Sequence, residues 1–355
     1  MEPTPNKQVI FLKTLDIGYP VVGEHIAVQE SSIDLNAPIE QDEFILKTLT
    51  ISIDPFIRNP MKTPSTKKSA APIAYYSIGS PIYGFTASRV IRSRNTKFNE
   101  GDIVTGVTYL EEYTLISPKT NPFASWLTVR NEIKESGFPL SYHLSVMGMP
   151  GFTAHAGLFE IGKPKKGETL FVSAASGAVG QLVGQIAKLQ GLYTIGSAGT
   201  DEKVAYLKEI GFDAAFNYKT TPDIAEKLAE LAPQGIDIYF DNVGGEILEA
   251  ALESANRFAR FICCGMISIY NTENQVGIRN VFQIVGKHIT MEGFMVQDYG
   301  HLEGAFIKEM KQWLNEGKIK YRETIVEGFD QTAQAILDVQ YGKNFGKQLV
   351  KVADF

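Results

Sequence analysis

Hydrophobic and polar positions alternate in two different ways along the chain. Up to about residue 130, short runs of strand-forming residues are separated by turn signals, which predicts an irregular all-β unit. The predicted strands are residues 8–12, 44–53, 82–91, 102–110 and 112–116. A charged, proline-containing segment, residues 60–72, is predicted to be a surface loop.

From about residue 141 the pattern changes, and strands alternate with helices. The predicted strands are residues 169–172, 193–197, 214–217, 236–240, 260–264, 289–296, 321–326 and 347–352. The predicted helices are residues 201–210, 245–254, 276–285, 301–316 and 330–339, with one more opened by Thr221 at the cap and Pro222 at the first helical position. This alternation predicts an α/β fold class with a doubly wound parallel sheet.

Residues 168–190 contain a complete strand, turn and helix. The small residues of the turn end in Gly177 and Gly180, the last two glycines of a G-x-G-x-x-G fingerprint, although Ala175 stands in its first position. Free N–H groups at the N-terminus of the helix could hold a pyrophosphate. The candidate binding residues are Ser176, Gly177, Ala178, Val179 and Gly180. The alternative is a buried helix that packs closely on a sheet through small residues.

The end of the next strand indicates which dinucleotide would bind. An NAD site usually has an acidic residue about 20 positions beyond the fingerprint, where it holds the ribose 2′-hydroxyl. Ala198, eighteen positions beyond Gly180, stands in place of that acid, and the loop continues Gly199-Thr200-Asp201-Glu202-Lys203. Hydroxyls and a cation suit the 2′-phosphate of NADP better. Lys203 could also be an ordinary solvated side chain.

Two further turns follow strands of the predicted sheet at its carboxyl edge, where such sheets bind ligands. Asn242 follows one strand, and its amide could contact a ribose or nicotinamide group. Asn242 could equally serve only in a turn and helix cap. Tyr270 ends the other turn and is a candidate catalytic residue, although most tyrosines serve in packing.

Composition limits the class of protein. At 355 residues the chain predicts two domains, and 44% hydrophobic with 21% charged residues is typical of a soluble globular protein. A net charge of -6 argues against general binding of nucleic acid or acidic membrane. The two cysteines are adjacent, which argues against a disulfide and against a zinc site built from cysteine clusters.

No apolar signal core stands at the N-terminus, and we expect a cytoplasmic protein. Two uncharged windows, residues 138–159 and 169–187, are long enough to raise the question of a membrane segment. Glycine, serine, proline or histidine interrupts both windows, so we interpret them as buried parts of a globular fold.

Six stretches together resemble one family, the zinc-independent medium-chain dehydrogenase/reductases, and within it the NADPH-dependent alkenal double-bond reductases. They are residues 53–58 (IDPFIR), 148–154 (GMPGFTA), 174–180 (AASGAVG), 241–245 (DNVGG), 264–271 (CGMISIYN) and 342–347 (GKNFGK). The resemblance covers nearly the whole chain. It implies a GroES-like β-rich catalytic domain, residues 1–140 and 310–355, and a Rossmann NADP-binding domain, residues 141–309, in a homodimer.

The resemblance also implies roles for individual residues. Lys203 and Tyr218 would hold the 2′-phosphate, Asn242 and Asn344 would contact the nicotinamide end, and Tyr270 would lie near the substrate carbonyl. Phe56 stands where many members of the family carry a tyrosine that faces the substrate. Residues 60–71 match no pattern of the family, so substrate preference stays open.

The implied activity is hydride transfer from NADPH to the C=C bond of an α,β-unsaturated aldehyde or ketone, with Tyr270 as the donor to the developing oxyanion. The alternatives are an NADPH quinone oxidoreductase and a non-catalytic NADP-binding protein. The alcohol-dehydrogenase relatives of this family ligate a catalytic zinc with Cys and a Gly-His-Glu element, whereas residues 81–85 of this chain are PIYGF, without His or Glu. We therefore expect no metal at the site.

Overall fold

In a computed structural model of the chain, the structure describes residues 3–64, 74–119, 122–273 and 277–355. Its strands are β1 Thr4–Phe11, β2 Ile26–Ile33, β3 Phe44–Ile53, β4 Tyr83–Ser93, β5 Ile103–Tyr109, β6 Tyr113–Ile116, β7 Leu127–Val129, β8 Thr169–Val172, β9 Tyr193–Ala198, β10 Ala214–Asn217, β11 Ile236–Asp241, β12 Ala255–Cys263, β13 Thr290–Gly293, β14 Glu323–Glu327 and β15 Lys347–Lys351. Its α-helices are α1 Met149–Ala156, α2 Gly180–Leu189, α3 Asp201–Glu209, α4 Ile224–Leu231, α5 Gly245–Ser254, α6 Gln283–Lys287, α7 Glu303–Asn315 and α8 Thr332–Gln340.

The chain divides into two compact units. The first contains Met1–Leu144, Thr324–Asn344 and Gln348–Phe355, and the second contains Ser145–Glu323 and Phe345–Lys347. The predicted division at residue 310 differs from this one. Helix α7 lies wholly in the second unit because its buried Phe306 packs against Phe152 of α1, with ring centroids 5.4 Å apart.

The first unit is built on a seven-stranded sheet in the order β14-β15-β3-β4-β5-β7, with β6 paired to β3 and a separate β1-β2 ribbon. The pairings of β3 with β4, β6 and β15 are antiparallel. Strand β3 is buried along almost its whole length, since its sequence FILKTLTISI is mostly apolar or β-branched. Its core includes Ile51 and Ile53 of β3 and Ile336 of α8. The predicted β-rich unit is therefore confirmed.

The second unit contains a six-stranded parallel sheet in the order β10-β9-β8-β11-β12-β13. This order reverses direction between β8 and β11, as in doubly wound nucleotide-binding sheets. All four residues of β8 are buried, and so are Leu182, Val183 and Ile186 of α2, which form an apolar stripe along that helix. The structure thus confirms the predicted α/β class.

Aromatic side chains fill the core of the second unit. Phe171 of β8 stacks on Tyr239 of β11 at 5.0 Å, and Tyr239 meets Phe261 of β12 at 5.2 Å. All three side chains are fully buried. Offset stacking adds to the free energy of burial, so these rings hold neighbouring strands in register.

Several predicted boundaries are wrong. Helix α4 is capped by Asp223, whose side chain accepts a hydrogen bond from the N–H of Glu226 at 2.9 Å, and not by Thr221. The hydroxyl of Thr221 donates instead to the carbonyl oxygen of Asn217 at 2.8 Å. Residue 276 of the helix predicted over residues 276–285 lies outside the described residues. In the rest of that range the α-helix α6 begins only at Gln283, because both the backbone N–H and the guanidinium of Arg279 are held by Glu249 of α5.

Three further elements are shorter than predicted. The strand predicted over 321–326 begins at Glu323, because the backbone of residues 320 and 322 is hydrogen-bonded to side chains of α2. The helix predicted from residue 301 begins as a 3-10 helix, Val296–Leu302, and becomes α-helical at Glu303. The strand predicted over 289–296 is β13 alone.

Strand β2 is absent from the prediction. Half of its sequence IAVQESSI is polar, and this QESS run is exposed. The strand therefore lacks the alternation of a half-buried strand, and its pairing with β1 makes it extended. Of the loop predicted over residues 60–72, Pro60 and Met61 close a 3-10 helix, Pro55–Met61. Residues 65–72 of that loop lie outside the described residues.

Candidate active site

The predicted pyrophosphate turn lies between β8 and α2. Ala174 adopts a left-handed φ of 49°, and the N–H of Gly177 donates to the carbonyl oxygen of Ala174 at 2.9 Å. A Cβ atom at Gly180 would lie 2.5 Å from the same carbonyl oxygen. Because any larger side chain would collide there, glycine is needed for α2 to begin so close to the strand.

The N-terminus of α2 is accessible. Val179 at the cap makes no side-chain hydrogen bond to the helix, and Gly177, Ala178 and Val179 are all partly exposed, whereas Ser176 is buried. The first N–H groups of a helix have no acceptor within it and carry the positive end of its dipole. This turn therefore fits the pyrophosphate of a dinucleotide.

The residues predicted for the 2′-phosphate meet at the carboxyl ends of β9 and β10. A Cβ atom at Gly199 would lie 3.3 Å from both the hydroxyl oxygen of Tyr218 and the Cε of Lys219. Burial lowers the pKa of Lys203, nearby Lys219 lowers it further, and Glu202 opposes the shift. Two mutually repelling ammonium groups beside a phenol favour an anion.

Sequence reasoning missed Lys219. It stands directly after Tyr218, and a second cation beside a predicted phosphate residue was a signal that could have been used. Its closeness to Lys203 could not be read from the sequence, since the two residues belong to different elements.

Asp241 and Asn242 connect the two halves of the parallel sheet. The buried Oδ1 of Asp241 accepts hydrogen bonds from the N–H groups of Val243 and Gly244 at 2.9 and 2.8 Å. The side-chain Nδ2 of Asn242 donates to the carbonyl oxygen of Ser173 at 2.8 Å, and its backbone N–H donates to the Ser173 hydroxyl at 2.9 Å. Asn242 thus stands at the point where the strand order reverses, and it fixes the end of β8.

Tyr270 belongs to the third turn of this edge. The N–H of Ile267 donates to the carbonyl oxygen of Asn242 at 3.3 Å, so this turn is attached to the second. The hydroxyl oxygen of the half-buried Tyr270 lies 3.4 Å from the backbone nitrogen of Met266. The structure therefore brings Tyr270, Asn242 and the pyrophosphate turn to one edge of one sheet.

Phe56 and Asn344 belong to the first unit. Phe56 lies in the 3-10 helix Pro55–Met61, and its ring meets that of Phe85 edge-on at 6.0 Å. Tyr83 precedes Phe85 in the same strand, β4, and burial raises the pKa of its phenol to about 12. An aromatic, apolar surface of this kind suits an unsaturated hydrocarbon substrate.

The two cysteines are partly buried free thiols. Burial, and after it the charge of Asp241, raises the pKa of Cys263 to about 11 and that of Cys264 to about 12. Within the described ranges, no group of three or more His, Cys, Asp or Glu residues is placed to hold a metal ion. Nor does any helix of those ranges have the length and apolar character needed to cross a membrane.

The chain was compared with known proteins to identify its family. A family model described as zinc-binding dehydrogenase matches residues 178–315, and one described as the N-terminal domain of oxidoreductase matches residues 21–123. The chain is 42% identical over 353 residues to a 2-alkenal reductase (NADP(+)-dependent) of Nicotiana tabacum, with 99% of each chain covered. It is 41% identical over 331 residues to a (+)-pulegone reductase of Mentha piperita, covering 92% of this chain and 93% of that one.

A solved structure agrees with the sequence comparison. CurA of Vibrio vulnificus in complex with NADPH has a TM-score of 0.86 and 37% sequence identity, covering 98% of this chain and 100% of that one. The chain therefore belongs to the medium-chain dehydrogenase/reductase family, in the branch of NADP-dependent alkenal and enone double-bond reductases.

Proposed function

We propose that the protein is an NADPH-dependent reductase of the C=C bond in α,β-unsaturated aldehydes and ketones. The observation that carries the proposal is the edge where the pyrophosphate turn, Asn242 and the turn of Tyr270 are hydrogen-bonded to one another. The named relatives, reductases of 2-alkenals and of pulegone, support the substrate class. The cofactor is NADPH, and both the NADP-dependent relative and the NADPH complex of the similar structure agree with it.

Each part of the cofactor has its proposed partners. The turn from Ser176 to Gly180 binds the pyrophosphate at the N-terminus of α2. Lys203 and Tyr218 bind the 2′-phosphate, and the second ammonium group near Lys203, that of Lys219, supports this assignment. Asn242 and Asn344 contact the nicotinamide end. When bound, NADPH supplies a hydride from C4 of the nicotinamide ring.

The chemistry of the chain concerns the charge that develops on the substrate. As the β-carbon accepts the hydride, negative charge moves to the carbonyl oxygen, and a donor aimed at that oxygen lowers the barrier. We assign this donor to the hydroxyl of Tyr270, since a phenol with a reference pKa of about 10 is protonated at neutral pH. The α-carbon then takes a proton from Tyr270 or from water. Phe56 contributes to the apolar surface for the substrate.

A comparison of acceptors tests the proposed function. The purified protein is assayed with NADPH and either 3-nonen-2-one or a quinone, and the products are analysed for reduction of C=C or C=O. Reduction of the enone at C=C is expected. Preference for the quinone would make the protein a quinone oxidoreductase, and NADPH binding without any turnover would make it a non-catalytic NADP-binding protein.

Replacement of Lys203 tests the assignment of the 2′-phosphate. Lys203→Ala removes one cation, so we expect the KM for NADPH to rise about tenfold or more while that for NADH changes little. Lys208→Ala is the matched control, because Lys208 is exposed at the other end of the same helix. An unchanged ratio of the two Michaelis constants would show that Lys203 does not bind the phosphate.

We further propose a homodimer joined at the β13 edge of the parallel sheet. Among the strands that the structure describes, β13 ends the order and pairs with β12 alone. Directly before it in the chain, Val281, Phe282 and Val285 expose apolar side chains, and Phe282 is 77% exposed. An open strand edge beside exposed apolar residues favours pairing with a second copy.

For the location we propose the cytoplasm. Cys263 and Cys264 are both unpaired thiols, as expected in a reducing compartment. Fractionation of cells that express the full chain, probed with an antibody, tests this location, and recovery in a secreted or membrane fraction would contradict it.

A further inference from the structure

The ring of Phe345 gathers two cations within the second unit. The guanidinium carbon of Arg322 lies 3.6 Å from the centroid of this ring, and the Nζ of Lys203 lies 6.0 Å from it. Tyr206 meets the same ring edge-on at 5.1 Å. A flat guanidinium at this distance stacks on the aromatic face, which orients its N–H groups sideways from the stack.

The backbone of Arg322 is held firmly. Gln181, which is fully buried in α2, accepts the N–H of Arg322 at 2.9 Å and donates to its carbonyl oxygen at 3.1 Å. The Tyr206 hydroxyl donates to the same Gln181 oxygen at 2.7 Å. A Cβ atom at Gly346 would lie 1.9 Å from the Arg322 carbonyl oxygen, so that position needs glycine. The position of the guanidinium is thus built into the fold, unlike that of an ordinary surface arginine.

Positive charges outnumber negative ones among the side chains named around Arg322, which are Glu202, Lys203 and Lys219. Arg322 forms a long ion pair with Glu202, with 3.6 Å between Nη2 and Oε1, and these side chains are 46% and 73% exposed. Such exposed pairs are weak and easily exchanged. The pair also places a cation beside the first turn of α3, where the helix dipole is positive and favours anions. Lys203 and Lys219 add two more positive charges to the same region.

We infer that Arg322 is a further specificity-determining residue for NADPH, which exchanges Glu202 for the 2′-phosphate of the cofactor and binds it together with Lys203. This inference rests on the proposed assignment of Lys203 and Tyr218. The chemistry is that of a guanidinium fork and a phosphate monoester, which form parallel charge-assisted hydrogen bonds. Phe345 positions the fork, and Gln181 fixes the backbone that carries it.

Binding of two nucleotides by the full chain tests the inference without turnover. Adenosine 2′,5′-bisphosphate and 5′-AMP differ in the 2′-phosphate, and calorimetry measures the affinity of each. Arg322→Gln is expected to lower the affinity for the bisphosphate about tenfold and to change the affinity for 5′-AMP less than about twofold. Arg322→Lys, which keeps the charge and loses the fork, should fall between wild type and Arg322→Gln. Equal losses for both nucleotides would overturn the inference.

Arg279→Gln is the matched control, because Arg279 also forms an ion pair with a glutamate on the surface of the second unit. We expect this variant to bind both nucleotides as wild type does. Thermal unfolding of all variants shows whether they fold. If Arg322→Gln does not fold, the test rests on Arg322→Lys alone. A folded Arg322→Lys variant that discriminates between the two nucleotides as wild type does would refute the role of the guanidinium fork.

A double-mutant cycle separates direct binding from the neutralisation of Glu202. If Arg322 binds the phosphate directly, Arg322→Gln should weaken the bisphosphate as much in a Glu202→Gln background as in wild type. If Arg322→Gln causes no loss of affinity for the bisphosphate in the Glu202→Gln variant, Arg322 only neutralises Glu202, and the inference fails. The loss should also grow as the pH rises through about 6, where the phosphate gains its second charge.

The outcome is separable from that of the proposed function. If Lys203→Ala abolishes discrimination between the nucleotides and Arg322→Gln does not, only the inference about Arg322 fails. If neither variant changes discrimination, the proposed 2′-phosphate site is wrong as well. Reduction of an enone by the wild-type protein is measured independently of both.

Discussion

At the scale of single residues, Asp241 organises the edge at which NADPH is proposed to bind. One oxygen of its carboxylate accepts four hydrogen bonds, from Val243, Gly244, Tyr239 and Ser173, the last at 3.3 Å. Burial raises the pKa of Asp241, and the hydrogen bonds from Gly244 and Val243 oppose the shift. The carboxylate therefore shapes the site at a cost in stability, because its charge is taken out of water.

The raised pKa of Asp241 predicts the sign of a pH effect. Between the ordinary carboxyl value of 3.8 and the raised folded-state value, the folded protein binds more protons than the unfolded chain, so this group lowers stability as the pH rises. Asp241→Asn removes the titration. The free energy of unfolding is measured by urea titration at several pH values. The value for Asp241→Asn minus that for wild type should increase as the pH rises through that window. Parallel curves for the two proteins would contradict the expectation.

Tyr270 should matter for turnover more than for affinity. Replacement by phenylalanine removes the hydroxyl assigned to the developing oxyanion, and loss of one such donor typically lowers kcat about 100-fold. We expect the dissociation constant of NADPH to change little. Tyr193→Phe is a suitable control, because Tyr193 lies at the opposite end of its strand, away from the carboxyl edge. Wild-type turnover of a short enone by Tyr270→Phe would remove the catalytic role.

At the scale of elements, helix α2 has two tasks. Its N-terminus forms the pyrophosphate turn, while Gln181 and Gln185 hydrogen-bond to the backbone of residues 322 and 320. The first task could be predicted from the glycine spacing. The second could not, because the segment that it holds is distant in sequence and glutamines on a buried helix face show no pattern of their own.

The close start of α2 can be tested with two glycines. Gly180→Ala would place a Cβ atom 2.5 Å from the Ala174 carbonyl oxygen, so we expect a loss of about 1–3 kcal/mol in the free energy of unfolding and weaker NADPH binding. Gly304 lies in α7 with nothing within 4 Å of an added Cβ atom. Gly304→Ala should therefore stabilise the protein by up to about 1 kcal/mol. Similar effects of the two substitutions would contradict the packing argument.

The sequence predicted the periodic elements well and the polar contacts poorly. Strand β3 and helix α5 have the predicted bounds, because a long run of mostly apolar or β-branched residues marks the strand and a glycine-containing turn precedes the helix. Strand β2 was missed, since pairing and not burial makes it extended. Lys219 and Arg322 were missed as members of the site, because their neighbours come from distant parts of the chain. Their proximity depends on tertiary structure, which no local pattern records.

At the scale of the whole molecule, the proposed dimer predicts a change of mass in solution. Phe282→Asp places a charge on the exposed apolar surface before β13, so we expect light scattering to report a monomer. Ile78→Asp is the control, since Ile78 is 63% exposed but belongs to the first unit. A dimeric Phe282→Asp protein, or a monomeric wild type, would exclude this interface.

The three residues Phe345–Lys347 belong to the second unit although the chain around them belongs to the first. Gly346 forms a bridge with Gly177 of the pyrophosphate turn, and the N–H of Lys347 donates to the carbonyl oxygen of Arg322 at 3.1 Å. A truncated protein that stops at residue 323 would lack this tripeptide, even if the six-stranded parallel sheet folded completely. A short synthetic peptide spanning it should then restore nucleotide affinity by fragment complementation.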